Sequence, residues 1–183
     1  MATLRVTGGA LRGRRVPVPP RLVRPTSERA RQAFFNIVGN RIEGARFLDL
    51  FAGSGIFSFE AISRGAISAT AADNNRRSIE SISLFAKDWD VPVTAIYGDA
   101  VAVLPRLHEQ FDVVFADPPY DYEDYDGLLA ALDRLELAPD PIVAVEHRKR
   151  TNPFTVETKR LRLQRRAEYG EVWITFWNRV LSS

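Results

Sequence analysis

The sequence contains no cysteine, and only two of its 183 residues are histidines, His108 and His147. The lack of cysteine excludes disulfide bridges, thiolate metal sites and a cysteine nucleophile. Two histidines are too few for a zinc site unless carboxylates contribute. No stretch approaches the roughly 18 apolar residues that a membrane span requires, and the N-terminus lacks the apolar segment of a secretion signal. We therefore expect a soluble, cytoplasmic protein without a bound metal and without membrane contacts.

The net charge of +2 conceals an uneven distribution along the chain. Residues 1–31 contain eight arginines, no lysine and one acid; residues 32–146 contain eight bases and nineteen acids; residues 147–183 contain nine bases and three acids. Basic ends on either side of an acidic middle either bind a polyanion or pair with that middle. The use of arginine alone near the N-terminus favours nucleic acid, because the planar guanidinium matches phosphates and base edges.

Strand-like and helix-like segments alternate through most of the chain, which has no internal repeats. Apolar strands between helices are typical of a parallel sheet that is covered on both faces. The sequence therefore predicts an α/β, Rossmann-like fold with about seven mostly parallel strands and an antiparallel C-terminal hairpin. The predicted strands cover 45–51, 68–73, 91–99, 111–117 and 141–147; the predicted helices cover 24–38, 55–65, 75–89, 100–107 and 122–135.

Two short strands around Gly8–Gly9 and Gly13 predict a small β-hairpin before the main fold. We expect residues 1–24 to form a basic hairpin extension and residues 25–183 the catalytic domain. Thr26 or Ser27 is expected to cap the first helix. Phe34 and Phe35 are adjacent in that helix, so the spacing predicts that only one of them faces the core.

Acidic residues end four successive predicted strands: Asp49, Asp73, Asp99 and Asp117. In a doubly wound sheet the ligand lies at the carboxyl ends of the strands, so we expect these acids to share one edge. The sequence "LDLFAGSGIF" places a glycine turn directly after Asp49. A nicotinamide dinucleotide would call for a third glycine where Ser58 stands. S-adenosylmethionine is the better match, because it has an ammonium, a sulfonium and no phosphate.

The stretch "VVFADPPYDY" ends a buried strand with the sequence Asp117-Pro118-Pro119-Tyr120. An exocyclic amine on a nucleobase is a poor nucleophile, because its lone pair is delocalised into the ring. The Asp117 carboxylate and the Pro118 carbonyl can accept its two N–H bonds, and Tyr120 offers a face for base stacking. Taken alone, the motif could be no more than a rigid turn that ends the strand. A rigid turn does not explain why the motif occurs together with the glycine turn and three further acids at strand ends.

The motif resembles the [DNS]-P-P-[YFW] signature of amino methyltransferases. Four further blocks, "RVTGGALRGRRVPVP", "RPTSERARQAFFNIV", "LDLFAGSGIFSFEAISRG" and "YGEVWITFW", resemble the bacterial 16S ribosomal RNA guanine-N2 methyltransferase D family. The resemblance implies a monomeric class I methyltransferase that uses S-adenosylmethionine on one guanine of 16S RNA in an assembling subunit. The family usually has leucine and glycine after its glycine turn, where this chain has Ile56, Phe57 and Ser58.

On this resemblance, Asp117, Pro118, Pro119 and Tyr120 are expected to be catalytic. The expected cofactor-binding residues are Thr26, Asp49, Phe51, Gly53, Ser54, Gly55, Asp73, Asn74, Asp99 and Ala100. The expected RNA-binding residues are Arg12, Arg14, Arg15, Arg24, Arg148, Lys149 and Arg150.

The motif itself does not distinguish guanine N2 from adenine N6. An adenine-N6 methyltransferase on DNA or RNA therefore stays open, as does a non-catalytic RNA-binding assembly factor. The chain has no block for a separate target-recognition domain, which favours a prefolded ribosomal RNA over DNA.

Overall fold

The computed structural model describes residues 2–18, 25–149 and 153–179. These residues contain nine strands and five α-helices. The strands are β1 (Ala2–Arg5), β2 (Arg15–Val18), β3 (Arg46–Leu50), β4 (Ser68–Asp73), β5 (Val93–Tyr97), β6 (Phe111–Ala116), β7 (Leu137–Arg148), β8 (Leu161–Tyr169) and β9 (Val172–Arg179). The helices are α1 (Pro25–Val38), α2 (Ile56–Ser63), α3 (Arg76–Asp88), α4 (Ala100–Val103) and α5 (Tyr125–Arg134), with 3-10 turns at Gly39–Ile42 and Leu104–Arg106.

Seven strands form the main sheet, in the order β5-β4-β3-β6-β7-β9-β8. The first five strands in this order pair in parallel, and β9 pairs antiparallel with both β7 and β8. Strands β1 and β2 form a separate antiparallel pair. The predicted α/β fold, with its C-terminal antiparallel hairpin and small N-terminal hairpin, is confirmed.

Apolar residues cover both faces of the sheet, as its continuously apolar strands require. On one face the sheet packs against α1, α2 and α3, and the other face packs against α4 and α5. The first face is rich in phenylalanine: the ring of Phe57 stacks on Phe115 at 4.0 Å, and Phe34 contacts both rings. Phe57 is therefore a core residue.

Two local predictions about α1 are wrong. The helix begins at Pro25 and includes Thr26 and Ser27, so neither residue is its N-cap. Proline suits the first helical position because its missing N–H would have no intrahelical partner there. Phe34 and Phe35 are both buried, with exposed fractions of 0% and 2%. Both rings contact Phe47 and Phe57, and the Arg64 guanidinium lies 5.1 Å from the centre of the Phe35 ring.

The hairpin is attached to the main domain through Glu60 of α2, a carboxylate with no exposed surface. Glu60 accepts hydrogen bonds from Thr7 N at 2.8 Å, Thr7 Oγ1 at 2.7 Å and Gly8 N at 3.0 Å. Arg31 of α1, also fully buried, lies 3.4 Å from Glu60 and donates to the Arg5 carbonyl at 2.8 Å. Arg64 forms a third contact with Glu60, at 2.9 Å. The hairpin therefore shares polar and apolar contacts with the main domain.

Candidate active site

The strand order places a crevice between β3 and β6. The chain leaves β3 toward β4 on one side, and β6 returns on the other side of β3. In open α/β sheets such a reversal leaves a crevice at the carboxyl ends of the two strands, where ligands bind. The glycine turn follows β3, and the Asp-Pro-Pro-Tyr sequence follows β6. The two motifs singled out in the sequence therefore meet at this crevice.

The turn from β3 into α2 has an unusual backbone. Gly53 and Gly55 have φ values of 55° and 74°, and Phe51 has a φ of 59° although it carries a side chain. A Cβ at Gly55 would lie 2.7 Å from Ile82 Cγ1, so glycine is required there for space as well as for conformation. Non-glycine residues with positive φ are uncommon and cluster at ligand sites. The Phe51 ring packs edge-on against Tyr122 at 5.2 Å.

Asp49 lies beneath this turn and is 2% exposed. Its Oδ2 accepts hydrogen bonds from Ser58 N at 3.1 Å and Ser58 Oγ at 2.8 Å, which ties β3 to the first turn of α2. Burial raises the pKa of Asp49 to about 7; the Ser58 hydrogen bonds lower it, and the neighbouring carboxylates of Asp117 and Asp73 raise it further. Asp49 therefore exchanges its proton near neutral pH, directly below the predicted cofactor turn.

Asp73 and Asp99 lie at the rim of the crevice and hold the adjoining loops. Asp73 accepts from Gly53 N at 2.8 Å and from Asn75 N at 2.7 Å. Asp99 is exposed and caps α4 by accepting from Val101 N at 3.0 Å and from the following amide. Because a carboxylate has about four acceptor positions, both acids keep capacity for the hydroxyl or amine groups of a ligand.

The remaining predicted cofactor residues surround the same rim. Ser54 is half-buried within the glycine turn, Asn74 is exposed after β4, and Ala100 is the buried first residue of α4. Thr26 lies in α1, but its side chain is outside the described part of the structure. Arg24 and Arg150 lie outside the described residues altogether.

The loop after β6 is hydrogen-bonded to β3, on the side of the crevice that is predicted to bind the cofactor. Asp117 N donates to the Leu50 carbonyl at the end of β3, at 3.2 Å. Pro118 is buried, whereas Pro119 and Tyr120 are exposed. The carbonyl that closes the following turn is that of Pro119, which accepts from Tyr122 N at 2.9 Å. This bond uses a different carbonyl from that of Pro118, the predicted second acceptor for a base amine.

A shallow pocket that is open to solvent lies beside Asp117. Across its mouth the Arg148 guanidinium lies 4.4 Å from the centre of the Tyr120 ring. Burial raises the pKa of the Tyr125 hydroxyl to about 12, with added contributions from the negative charges of Asp117 and Glu146. The lining residues are Asp117, Pro118, Tyr120, Tyr125, Glu146, His147, Arg148 and Val172.

Comparison with known proteins agrees with this geometry. The family model described as "Conserved hypothetical protein 95" matches residues 4–178. Ribosomal RNA small subunit methyltransferase D of Haemophilus influenzae is 30% identical over 157 residues, covering 80% of this chain and 79% of that protein. The chain belongs to the small-subunit methyltransferase D family. Bacillus subtilis YlbH, named as a candidate rRNA methyltransferase, is 29% identical over 96% of this chain and 99% of its own length.

A solved structure with a similar sequence confirms the fold over almost the whole chain. YhhF of Escherichia coli, described as a candidate methyltransferase, superposes with a TM-score of 0.85 at 29% identity. The match covers 97% of this chain and 98% of YhhF. Fold and family together make this chain a class I methyltransferase.

The arginines that were predicted to bind RNA fall into two groups. Arg148 lies at the pocket, and the neighbouring Lys149 forms an ion pair with Glu168. Arg12, Arg14 and Arg15 are exposed, and the guanidinium of Arg14 lies 5.2 Å from the centre of the Trp89 ring at the C-terminal end of α3. Helix α3 runs back from the crevice for 13 residues, or about 20 Å. This second group therefore lies near the amino ends of the parallel strands, away from the crevice.

Sequence reasoning missed three residues of this family member's crevice. The sequence pattern places Tyr122 and Tyr125 in one predicted helix, but α5 begins only at Tyr125, and the Tyr122 ring packs edge-on against Phe51 and Tyr125. Glu146 was treated as part of a buried strand, yet it lines the pocket. No signal in the sequence alone indicates Glu146; only the pairing of β6 with β7 places it beside Asp117.

In the described part of the chain, no three histidine or acidic side chains are grouped so as to hold a metal ion. None of its helices is long and apolar enough to cross a membrane.

Proposed function

We propose that this protein transfers a methyl group from S-adenosylmethionine to the exocyclic N2 amine of one guanine in 16S ribosomal RNA. The observation that carries the proposal is the Asp117–Tyr120 loop, which is hydrogen-bonded to the end of β3 beside the glycine turn. The name of the Haemophilus influenzae relative supports the choice of small-subunit ribosomal RNA. We further propose that the protein acts as a cytoplasmic monomer on a small-subunit particle.

The residues around the glycine turn fit the proposed cofactor. When bound, S-adenosylmethionine supplies an electrophilic methyl group on a sulfonium. Its donor groups suit the acceptors at the rim: Asp73 for the ribose hydroxyls and Asp99 for the adenine amine. Its carboxylate is suited to the glycine turn, because the turn opens into the N-terminus of α2.

The target amine would be activated by two acceptors. The Asp117 carboxylate accepts one N–H bond and the Pro118 carbonyl the other, which draws the nitrogen toward tetrahedral geometry and directs its lone pair at the methyl group. Asp117 can also hold the proton that the nitrogen loses. Tyr120 provides a stacking surface for the base, an interaction worth about 1–3 kcal/mol. The remaining rate enhancement comes from alignment of the reacting atoms.

The test is tritium transfer from labelled S-adenosylmethionine to small-subunit particles from cells that lack this protein, followed by nucleoside analysis. The proposal predicts N2-methylguanosine. Methylated adenosine would instead identify an adenine-N6 methyltransferase, and cofactor binding without transfer would identify a non-catalytic assembly factor.

Two variants locate the reaction at the crevice. Asp117→Ala is expected to abolish transfer while cofactor affinity, measured by calorimetry, stays within about threefold. Asp121→Ala removes an exposed carboxylate four residues along the chain and serves as the matched control. An Asp117→Ala variant that turns over at the wild-type rate would remove this residue from the mechanism.

A further inference from the structure

Two carboxylates occupy neighbouring positions at the pocket. Ala116 of β6 pairs in parallel with Val145 of β7, so the next residues along, Asp117 and Glu146, lie side by side. Neighbouring strands are about 4.8 Å apart. Phe115 and Ala144, two residues earlier on each strand, pack into the same core cluster, so alternation places both carboxylates on that face.

The rest of the pocket is not acidic. Arg148 and the exposed ring of Tyr120 lie across its mouth. The protonated hydroxyl of Tyr125 is close enough to interact electrostatically with both carboxylates and with Arg148. The pocket therefore combines two adjacent acceptors with an aromatic surface and a cation. This combination suits a flat ligand that presents several hydrogen-bond donors along one edge.

Guanine presents such an edge, and adenine does not. In guanine the N2 amine is next to N1–H, so the edge offers three donor hydrogens in a row. In adenine the N6 amine is next to N1, which carries a lone pair and no hydrogen. A carboxylate beside the one that binds the amine would accept N1–H from guanine but would repel the N1 lone pair of adenine.

We propose that Glu146 accepts the N1–H of the target base and thereby selects guanine over adenine. The inference rests on the proposed methyl transfer at Asp117, and it supplies the base specificity that the Asp-Pro-Pro-Tyr sequence lacks. A site built to accept a donor rejects an analogue that presents a lone pair there, because the carboxylate and the lone pair repel each other. Glu146 is thus a specificity-determining residue at the base edge.

The test uses 16S RNA assembled into small-subunit particles, with one of two nucleotides at the mapped target position. One is guanosine and the other is 2-aminopurine riboside, which keeps the 2-amino group but has a lone pair at N1. Wild-type protein is expected to methylate guanosine faster by on the order of 10- to 100-fold, the range that one hydrogen bond to a charged group supports. Equal rates would overturn the inference without requiring any variant.

Glu146→Gln should reduce this ratio to below about threefold, because the amide can accept N1–H from guanosine or donate to the N1 lone pair of 2-aminopurine, with unchanged affinity for S-adenosylmethionine. Glu146→Asp retains the acceptor and is expected to keep the preference for guanosine. Glu136→Gln makes the same change at an exposed position before β7, at the opposite end of that strand, and should leave both rates unchanged. A wild-type ratio in Glu146→Gln would refute the role of Glu146, whereas wild-type protein that methylates neither nucleotide would refute the proposed function itself.

Discussion

Replacing Glu60 with alanine should destabilise the protein strongly, because this carboxylate binds the N-terminal hairpin to two helices. Three donors from Thr7 and Gly8 and two arginines meet at Glu60. Arg31 has no exposed surface, so its charge would be left buried beside a void. Removing one partner of a buried ion pair costs about 3–5 kcal/mol, a large part of the 5–15 kcal/mol that usually stabilises a domain.

The free energy of unfolding can be measured by urea denaturation and the melting temperature by calorimetry. For a chain of this size the expected loss corresponds to a fall of roughly 6–20 °C in melting temperature. Glu80→Ala is the matched control, since it removes an exposed helical glutamate and should change stability by less than about 0.5 kcal/mol.

A double variant separates the unpaired charge from the loss of packing. Arg31→Met with Glu60→Leu removes both buried charges, and such replacements are often neutral or stabilising. The double variant should therefore be more stable than Glu60→Ala, because Thr7 and Gly8 are only half-buried and their donors can reach water. A loss below about 1 kcal/mol in Glu60→Ala would refute the argument that this carboxylate holds the hairpin.

Three further predictions follow from the crevice and the hairpin. Because burial raises the pKa of Asp49 to about 7, wild-type stability should fall as the pH rises from about 4 to 7, and urea denaturation of Asp49→Asn should show a flatter pH dependence. Gly55→Ala must adopt a positive φ against a close side chain; it should lose at least about 1–2 kcal/mol of stability and weaken S-adenosylmethionine binding in calorimetry. Replacing Arg12, Arg14 and Arg15 by alanine should weaken RNA binding and lower the slope of log affinity against log salt by about 2–3; an unchanged slope would show that these arginines do not contact RNA.

The main architecture could be predicted because its signals are local. Four of the five parallel strands are short apolar runs, and an acid at or next to the end of each marks the edge of the sheet where ligands bind. Asp49, Asp73, Asp99 and Asp117 are all located at that edge, as their positions at strand ends indicated. Their separate tasks were not visible: Asp49 bonds to Ser58 beneath the surface, because the helix start covers it.

Features that depend on contacts between distant segments could not be predicted from the sequence. Helical periodicity predicts that only one of two adjacent residues in α1 faces the core, but Phe34 and Phe35 both pack against Phe47 and Phe57 and are both buried. In the same way, the relation of Glu146 to Asp117 depends on the register between β6 and β7. Their separation of 29 positions in the sequence carries no periodic signal.

The contact between Arg148 and Tyr120 has a consequence for how a nucleotide enters. In the free protein the cation covers one side of the ring on which a base is proposed to stack. An arriving nucleotide must either use the opposite side or displace the guanidinium. Displacement would leave the arginine next to the nucleotide's own phosphate, so a contact within the protein would be exchanged for one with the RNA. The incoming strand would then itself uncover the Tyr120 ring that receives its base.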